Sequence, residues 1–570
     1  MNKDIEKNTM KRIFKKSKWL HKYIGIILIL FLAWMSLSGI ILNHPDLISG
    51  FSVSSEFVPA QYRINNWNRS SLRQLIFSGQ NPSVGFAAGK QGVWKTDDGG
   101  ITFYPLNDGF PESQYYRKTN HIFLIEQKSI PPVLFAGTDN GLYAANPADE
   151  KWKNIKLGGK TERVLKIIKK DLNLIVFTDS EVYISPVNQN FEFKQVHLQR
   201  FEDAHQVSLV KLFFDLHDGN VWGLPGKIFF DLIGLLLFFL SLSSLYTWYF
   251  KLRQKYHRTG MRTTANKRLL SVYRFLFKYH LKLGIWSAVF LLMIGITAFF
   301  MRPPFIAAIA EGTIAAELYP GLLSENPWEG KIQNALYDSV DDQIIIQCSD
   351  GLWLGKPDFS EPLVKKDFPF PIFVMGATVF EVMDNGDFLV GSFNGIYRMN
   401  RETGEIRDLL TGNGPGGVTS VRPAEYMITG YFRTPSGDEF ITAHEQGLVP
   451  VGSSRSDGRF IMPDEINESF RMPLWNYMFE LHNGRIFKDL IGGWYILIAP
   501  VGSLLFVLII LTGVFDWFYL KVYQKRKMTG KISRQIPTRH KDKANIPENS
   551  GKKPGDIDKF LIPNERIYYE

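Results

Sequence analysis

Leu20-His21-Lys22-Tyr23-Ile24-Gly25 opens an apolar stretch near the start of the chain, and Tyr279-His280-Leu281-Lys282-Leu283-Gly284 opens another at an offset of 259 residues. The same offset carries Pro45, just past the first stretch, onto Pro304, just past the later one. A second pair, Leu216-His217-Asp218-Gly219 and Leu481-His482-Asn483-Gly484, precedes two further apolar stretches. Those close alike, on Trp248-Tyr249-Phe250-Lys251-Leu252 and Trp517-Phe518-Tyr519-Leu520-Lys521. A repeat on this scale sets the organisation of everything between its copies. Each half reads as helix, long intervening segment, helix.

The four apolar stretches, Trp19–Asn43, Pro225–Phe250, Leu281–Met301 and Ile491–Leu520, reach the roughly twenty residues that cross a bilayer. The mean hydropathy of −0.09 is therefore an average over two unlike parts. The first stretch is too long for the apolar core of an export signal and lacks a small-x-small cleavage site, so it reads as an uncleaved helix.

Charge orients the spans. Residues 1–22 carry eight Lys/Arg against two acids, 251–282 ten against none, and 521–553 eleven against two. Basic segments resist translocation, which places both termini and the middle loop of a multi-pass membrane protein in the cytoplasm. The expected domains are a basic tail at 1–18, spans at 19–43, 225–250, 281–301 and 491–520, external segments at 52–224 and 303–488, a basic loop at 251–280, and a mostly disordered tail at 521–570. The net charge of +10 would suggest nucleic acid in a soluble chain. Here the basic residues flank spans, where anionic lipid accounts for them, and nucleic acid is not expected as a partner.

The external segments carry a finer repeat. Gly89-Lys90-Gln91-Gly92-Val93-Trp94, Gly137-Thr138-Asp139-Asn140-Gly141-Leu142-Tyr143 and Thr178-Asp179-Ser180-Glu181-Val182-Tyr183 lie in the first half. Cys348-Ser349-Asp350-Gly351-Leu352-Trp353, Gly391-Ser392-Phe393-Asn394-Gly395-Ile396-Tyr397 and His444-Glu445-Gln446-Gly447-Leu448 lie in the second. Each follows a short apolar run and leads into another alternating strand, the pattern of a hairpin turn. Spacing of roughly 40–50 residues suits a four-stranded propeller blade. Thr96, Asp98, Gly100, Thr102 and Phe103 also fit an Asp-box hairpin. Three blades cannot close a ring alone. The fold expected is thus membrane α-helical plus all-β, with four transmembrane helices and external segments jointly forming a β-propeller-like domain; two separate β-sandwiches are the alternative.

Cys348 is the single cysteine, which excludes internal disulfides, C-x-x-C-H haem attachment and cysteine-held iron–sulfur clusters. Among eleven histidines, His21 and His280 occupy equivalent inner ends of spans, His217 and His482 equivalent outer ends, and His44 caps the first helix. Two imidazoles facing one another across a bundle suit six-coordinate haem iron. His21 with His280 would hold an inner haem b and His217 with His482 an outer one; His44 ranks below them as a third external ligand, a gate or a cap. Gly25, Gly284, Gly219 and Gly484 would let a flat macrocycle approach. Asp231 and Asp516 lie near span boundaries, and Arg302 could hold an anion or reach to headgroups. Gly412-x-Gly414-x-x-Gly417 lacks a following helix and reads as a loop. Nothing fits a P-loop, an H-E-x-x-H zinc site or a G-x-S-x-G hydrolase.

His-x-x-x-Gly at His21 and His280, Leu-His-x-Gly before the second helix of each half, and the aromatic closings resemble the PepSY-associated transmembrane family. That resemblance covers the four helices and their flanks. It implies a haem-dependent ferric siderophore reductase of the bacterial inner membrane, with one or two haem b groups. A separate electron donor such as quinol would feed it, and a ferric chelate would be reduced at the external face. The propeller-like repeats stand where the family's PepSY modules would be. The competing expectation is a non-enzymatic, membrane-anchored propeller that binds a ligand or partner protein.

Overall fold

The computed structural model describes residues 2–127, 130–159, 161–187, 190–201, 206–256, 264–367, 369–416, 423–468 and 470–523. Gly417 and the tail from 524 onward lie outside them. The chain divides into two compact units, Met1–Asp516 and Trp517–Glu570. Of the second, the described part runs to the turn Tyr519–Tyr523, where the two tyrosine rings stack.

Among the described residues, four helices are long and apolar enough to cross a membrane, with spans at Asn8–Leu42, Asn220–Gln254, Lys267–Phe300 and Arg485–Tyr523. The first three are carried by helices Asn2–Leu42, Gly223–Tyr256 and Thr264–Phe300. The last starts its regular helix at Ile498, later than its hydropathy suggests. Gly492, at φ 57, ends a short turn there, and a residue in that conformation cannot continue a helix. Leu28, Leu32, Ile233, Leu237, Ala288, Leu291, Phe506 and Ile510 interlock between the helices. On the outer faces Leu30 stays 77% and Trp286 82% exposed, which in a chain of this composition is surface for lipid tails. Small residues make room for the side chains of neighbouring helices: a Cβ at Gly502 would meet the Phe31 ring at 2.6 Å.

Outside the bundle, the described residues form six antiparallel sheets, five of four strands and one of three, each built from consecutive strands. In order they begin with strands Gln74–Phe77, Thr119–Gln127, Val164–Lys170, Ile332–Asp338, Val379–Val382 and Ile428–Arg433. The six repeated turn signatures each join the second and third strands of one sheet. Gly92 (φ 102), Gly141 (φ 108) and Gly395 (φ 114) hold turn conformations that residues with a Cβ resist.

Why the second strands read as unbroken apolar runs follows from their packing. In Gln343–Cys348, Ile344 and Ile346 enter one hydrophobic cluster with Phe177 and Val182 of the third sheet. Ile345, pointing the other way, enters another with Phe380 and Phe388 of the fifth. Period-two alternation thus feeds two cores, one on each face. Similar clusters join the first sheet to the second, the second to the third and the fifth to the sixth. Phe432 and Phe440 of the sixth share a cluster with Leu75, Ala87 and Trp94 of the first. Thr442 Oγ1 also donates to the Leu72 carbonyl at 2.9 Å.

Two ribbons tie the segments together. Ser52–Ser54 pairs antiparallel with Arg471–Pro473, and Gln206–Ser208 pairs antiparallel with Thr313–Ala315. Each ribbon feeds directly into a short helix, Leu474–His482 in one case and Leu209–Asp218 in the other. The expected Asp-box is formed: Asp98 accepts from the Ile101 and Thr102 amides at 2.9 and 3.0 Å and from the Thr96 and Thr102 hydroxyls. Desolvation raises its carboxyl, but those hydrogen bonds outweigh it and hold the group down at about 2.

Candidate functional site

Each of the four paired histidines sits on one helix and reaches a hydroxyl on another. His21 Nδ1 lies 2.9 Å from the Ile509 carbonyl and 3.3 Å from Thr512 Oγ1. His280 Nδ1 lies 2.9 Å from Ser243 Oγ. His217 Nδ1 lies 3.1 Å from Thr297 Oγ1, and His482 Nδ1 2.7 Å from Ser38 Oγ. All four hydroxyls donate to carbonyls of their own helices. With the hydroxyls so engaged, each imidazole donates from Nδ1, the tautomer that the Ile509 and Ile294 carbonyls beside His21 and His217 also favour. Every bond crosses between the halves, joining a histidine of one to a hydroxyl of the other.

One of the two pairs of rings meets as the repeat suggests. His21 and His280 meet edge to face with centroids 6.5 Å apart. His217 and His482 lie outside the spans, and burial pushes them down to about 4 and about 3, so both are neutral at pH 7. Two histidines at each level are nonetheless all that assembles. Among the described residues, no group of three or more His, Cys, Asp or Glu side chains could hold a metal ion. The expectation of one or two haem b groups is corrected by that finding, and the four imidazoles are described as hydrogen-bonding groups between helices.

The remaining candidates find other partners. His44 Nε2 lies 2.6 Å from Asp231 Oδ2, and Asn43 Nδ2 donates to Asp231 Oδ1 at 3.0 Å. The carboxylate inside the second span is thus met by the residues ending the first. Gly219 and Gly484, at φ 83 and 79, end the short helices in the left-handed conformation, a termination role rather than an approach for a macrocycle. Arg302 lies over the Phe479 ring at 5.6 Å, and Arg485 approaches the same ring at 5.7 Å. Burial, with Arg485 nearby, lowers Arg302 to about 10. Cys348 is buried, and its thiol is pushed up by burial and by Asp350.

Sequence reasoning missed a cavity of about 320 Å³ between the turns of the first sheets and the Leu474–His482 helix. Arg69, Lys90, Lys118 and Arg163 line it opposite a single acid, Asp139, with Tyr115 and Trp475 as aromatic walls. Trp475 Nε1 donates to the Leu42 carbonyl, which sets this wall against the outer end of the first span. One signal was available. Lys90 occupies the turn position held by Asp139, Asp179 and Glu445 in other sheets, a reversal of charge within a repeated motif.

The model of the PepSY-associated TM region matches residues 18–519, and the chain belongs to that family. It is a multi-pass membrane protein with a large external domain. No curated protein matches it. Among solved structures it is similar to the extracellular domain of BT4673 from B. thetaiotaomicron, at 11% identity and TM-score 0.32, over 69% of this chain and 39% of that one. An ancestral GH74 enzyme matches at 9% and 0.32, over 67% and 36%. PorZ, a surface component of the type-IX secretion system of Porphyromonas gingivalis, matches at 10% and 0.29, over 69% and 32%. This chain spans well under half the length of each, and at such scores the likeness carries no functional argument.

Proposed function

We propose that the chain is a membrane-anchored binding platform, with six sheets closed into a propeller that receives a ligand or partner protein outside the membrane. The cyclic succession of hydrophobic clusters, with the sixth sheet packed on the first, supports closure. The observation that carries the binding role is the cationic cavity, whose dimensions and mixed aromatic and charged walls are those of a ligand site. His21, His280, His217 and His482 act in this reading as ties that hold the two halves of the bundle in register. The basic segments at 1–22, 251–282 and 521–553 put both termini inside. Reporters fused after Tyr256 and at Asn140 should then read as cytoplasmic and external.

The experiment that tests the platform is an absorption spectrum of the full chain purified from haem-replete cells. The reading expects no redox-responsive haem bands. A stoichiometric b-type spectrum would overturn it in favour of electron transfer.

A further inference from the structure

Charge around the cavity is unevenly matched. Lys118 Nζ and Arg163 Nε both reach Asp139, at 2.8 and 2.9 Å, so one carboxylate serves two cations. Lys90 and Arg69 have no such partner: among the described residues no carboxylate comes within ion-pairing distance of either. The Arg69 guanidinium lies over the Tyr62 ring at 4.9 Å. Arg73 stands behind them, with its Nε buried and unpartnered. Burial and the neighbouring charges of Arg69, Arg73 and Arg485, opposed by Glu480, lower Lys90 to about 8. Such crowding of like charge is unfavourable by itself and is relieved by an anion.

The backbone that delivers Arg69 is also held at a cost. Asn66, Trp67, Arg69 and Ser70 all have positive φ, between 47 and 63, a conformation that disfavours residues with a Cβ by roughly 1 kcal/mol each. It persists because its surroundings fix it. Trp67 is fully buried with Nε1 donating to the Phe460 carbonyl at 2.8 Å, Asn66 Nδ2 donates to the Gln446 and Leu448 carbonyls, and the Arg69 amide donates to the His444 carbonyl at 2.9 Å. At the corresponding place in the second half, two residues after the buried Trp328, the chain has Gly330 at φ 65. Glycine adopts that conformation freely. The first half instead places a guanidinium there, facing the cavity.

We propose that this cavity binds an organic anion with a flat apolar body, its acidic groups met by Arg69 and Lys90 and its body lying against Tyr115 and Trp475. The rings of those two residues are 5.9 Å apart and tilted, a wall that suits an aromatic or similarly flat molecule. Arg163 and Lys118, pinned by Asp139, set the far boundary. The class of ligand is thus an aromatic polycarboxylate or a phosphorylated equivalent. An anionic lipid headgroup offers the same charge chemistry, because the cavity lies beside the outer end of the first span.

The test is calorimetric titration of benzene-1,3,5-tricarboxylate into the full chain in phosphatidylcholine nanodiscs. One-to-one binding is expected, weakening with added salt and as pH rises from 7 to 9, because burial lowers Lys90 to about 8 and Lys118 to about 7 and both lose their charge there. Arg69→Gln or Lys90→Gln should each weaken it about tenfold or more, the usual effect of losing a hydrogen bond to a charged group. Lys90→Arg should retain it, and benzyl alcohol, equally flat but neutral, should not compete. Absence of binding to the wild-type chain, or equal binding to the Gln variants, would overturn the site. Loss of binding in phosphatidylglycerol nanodiscs would reassign it to a lipid headgroup and overturn the soluble ligand. The assignment rests on the platform reading, yet the two fail separately. A haem spectrum sinks the platform whatever the titration gives, whereas a colourless chain that ignores the tricarboxylate sinks only this site.

Discussion

Trp67 in the first half of the external region and Trp328 in the second are both fully buried, both donate Nε1 to a distant carbonyl, and both precede the opening strand of a sheet. Around Trp328 the local cation is neutralised. Arg200 lies over the rings of Trp328 and Trp353 at 4.0 and 4.5 Å and pairs with Asp350 at 3.0 Å. Around Trp67 the cations stay open, and the residue two places on is an arginine rather than a glycine. The two halves solve the same packing problem, but only the first leaves charge unspent. The shared tryptophan marks the repeated scaffold, and the residues at which the copies differ mark the candidate site.

The largest expected effect tests the neutralised side. Asp350→Asn would strand the Arg200 side chain, which is only 1% exposed, and should cost about 3 kcal/mol in denaturant or thermal unfolding. Asp139→Asn should cost clearly less, because Lys118 and Arg163 border a cavity. Equal losses would break the distinction between a closed and an open charge cluster.

A smaller effect sharpens the backbone difference. Arg69→Gly should leave stability unchanged or raise it by up to about 1 kcal/mol as strain is released, while anion binding falls. Gly330→Arg should lower stability by about 1 kcal/mol or more. A destabilised Arg69→Gly chain would show that the arginine is there for packing.

The smallest effects concern the bundle, where the two halves should behave alike. Ser38→Ala and Thr297→Val remove equivalent partners of His482 and His217, and each should cost about 0.6 kcal/mol, typical of a hydrogen bond between membrane helices. Steric-trapping or detergent-unfolding measurements that separated the two by more than 1 kcal/mol would count against a symmetric set of ties.

Much of this was legible from local pattern. The four apolar stretches announced the spans, and the six turn signatures fell between the second and third strands of six sheets. The Asp98 hairpin needed only five nearby residues. The histidine pairing followed from matched positions, but the hydroxyls they contact did not, since Thr512 and Ser38 lie hundreds of residues from His21 and His482 and leave no periodic trace. For the same reason Asp231 read as an isolated acid until His44 was found beside it. Haem was expected because paired imidazoles suggested ligands, and residue type alone does not distinguish a ligand from a hydrogen-bond donor. The positive φ of Arg69 escaped because arginine gives no turn signal, whereas Gly330 would have.

The two strand ribbons place a constraint on the order of biosynthesis. Ser52–Ser54 waits for Arg471–Pro473, a partner that emerges some 420 residues later, and at about 5–20 residues per second that delay is on the order of 20–80 s. For most of it, until the sixth sheet emerges with Phe432 and Phe440, the first sheet lacks the partner that packs on Leu75, Ala87 and Trp94. A chaperone of the external compartment, or fast insertion of the third span, would have its strongest claim on this protein during that interval.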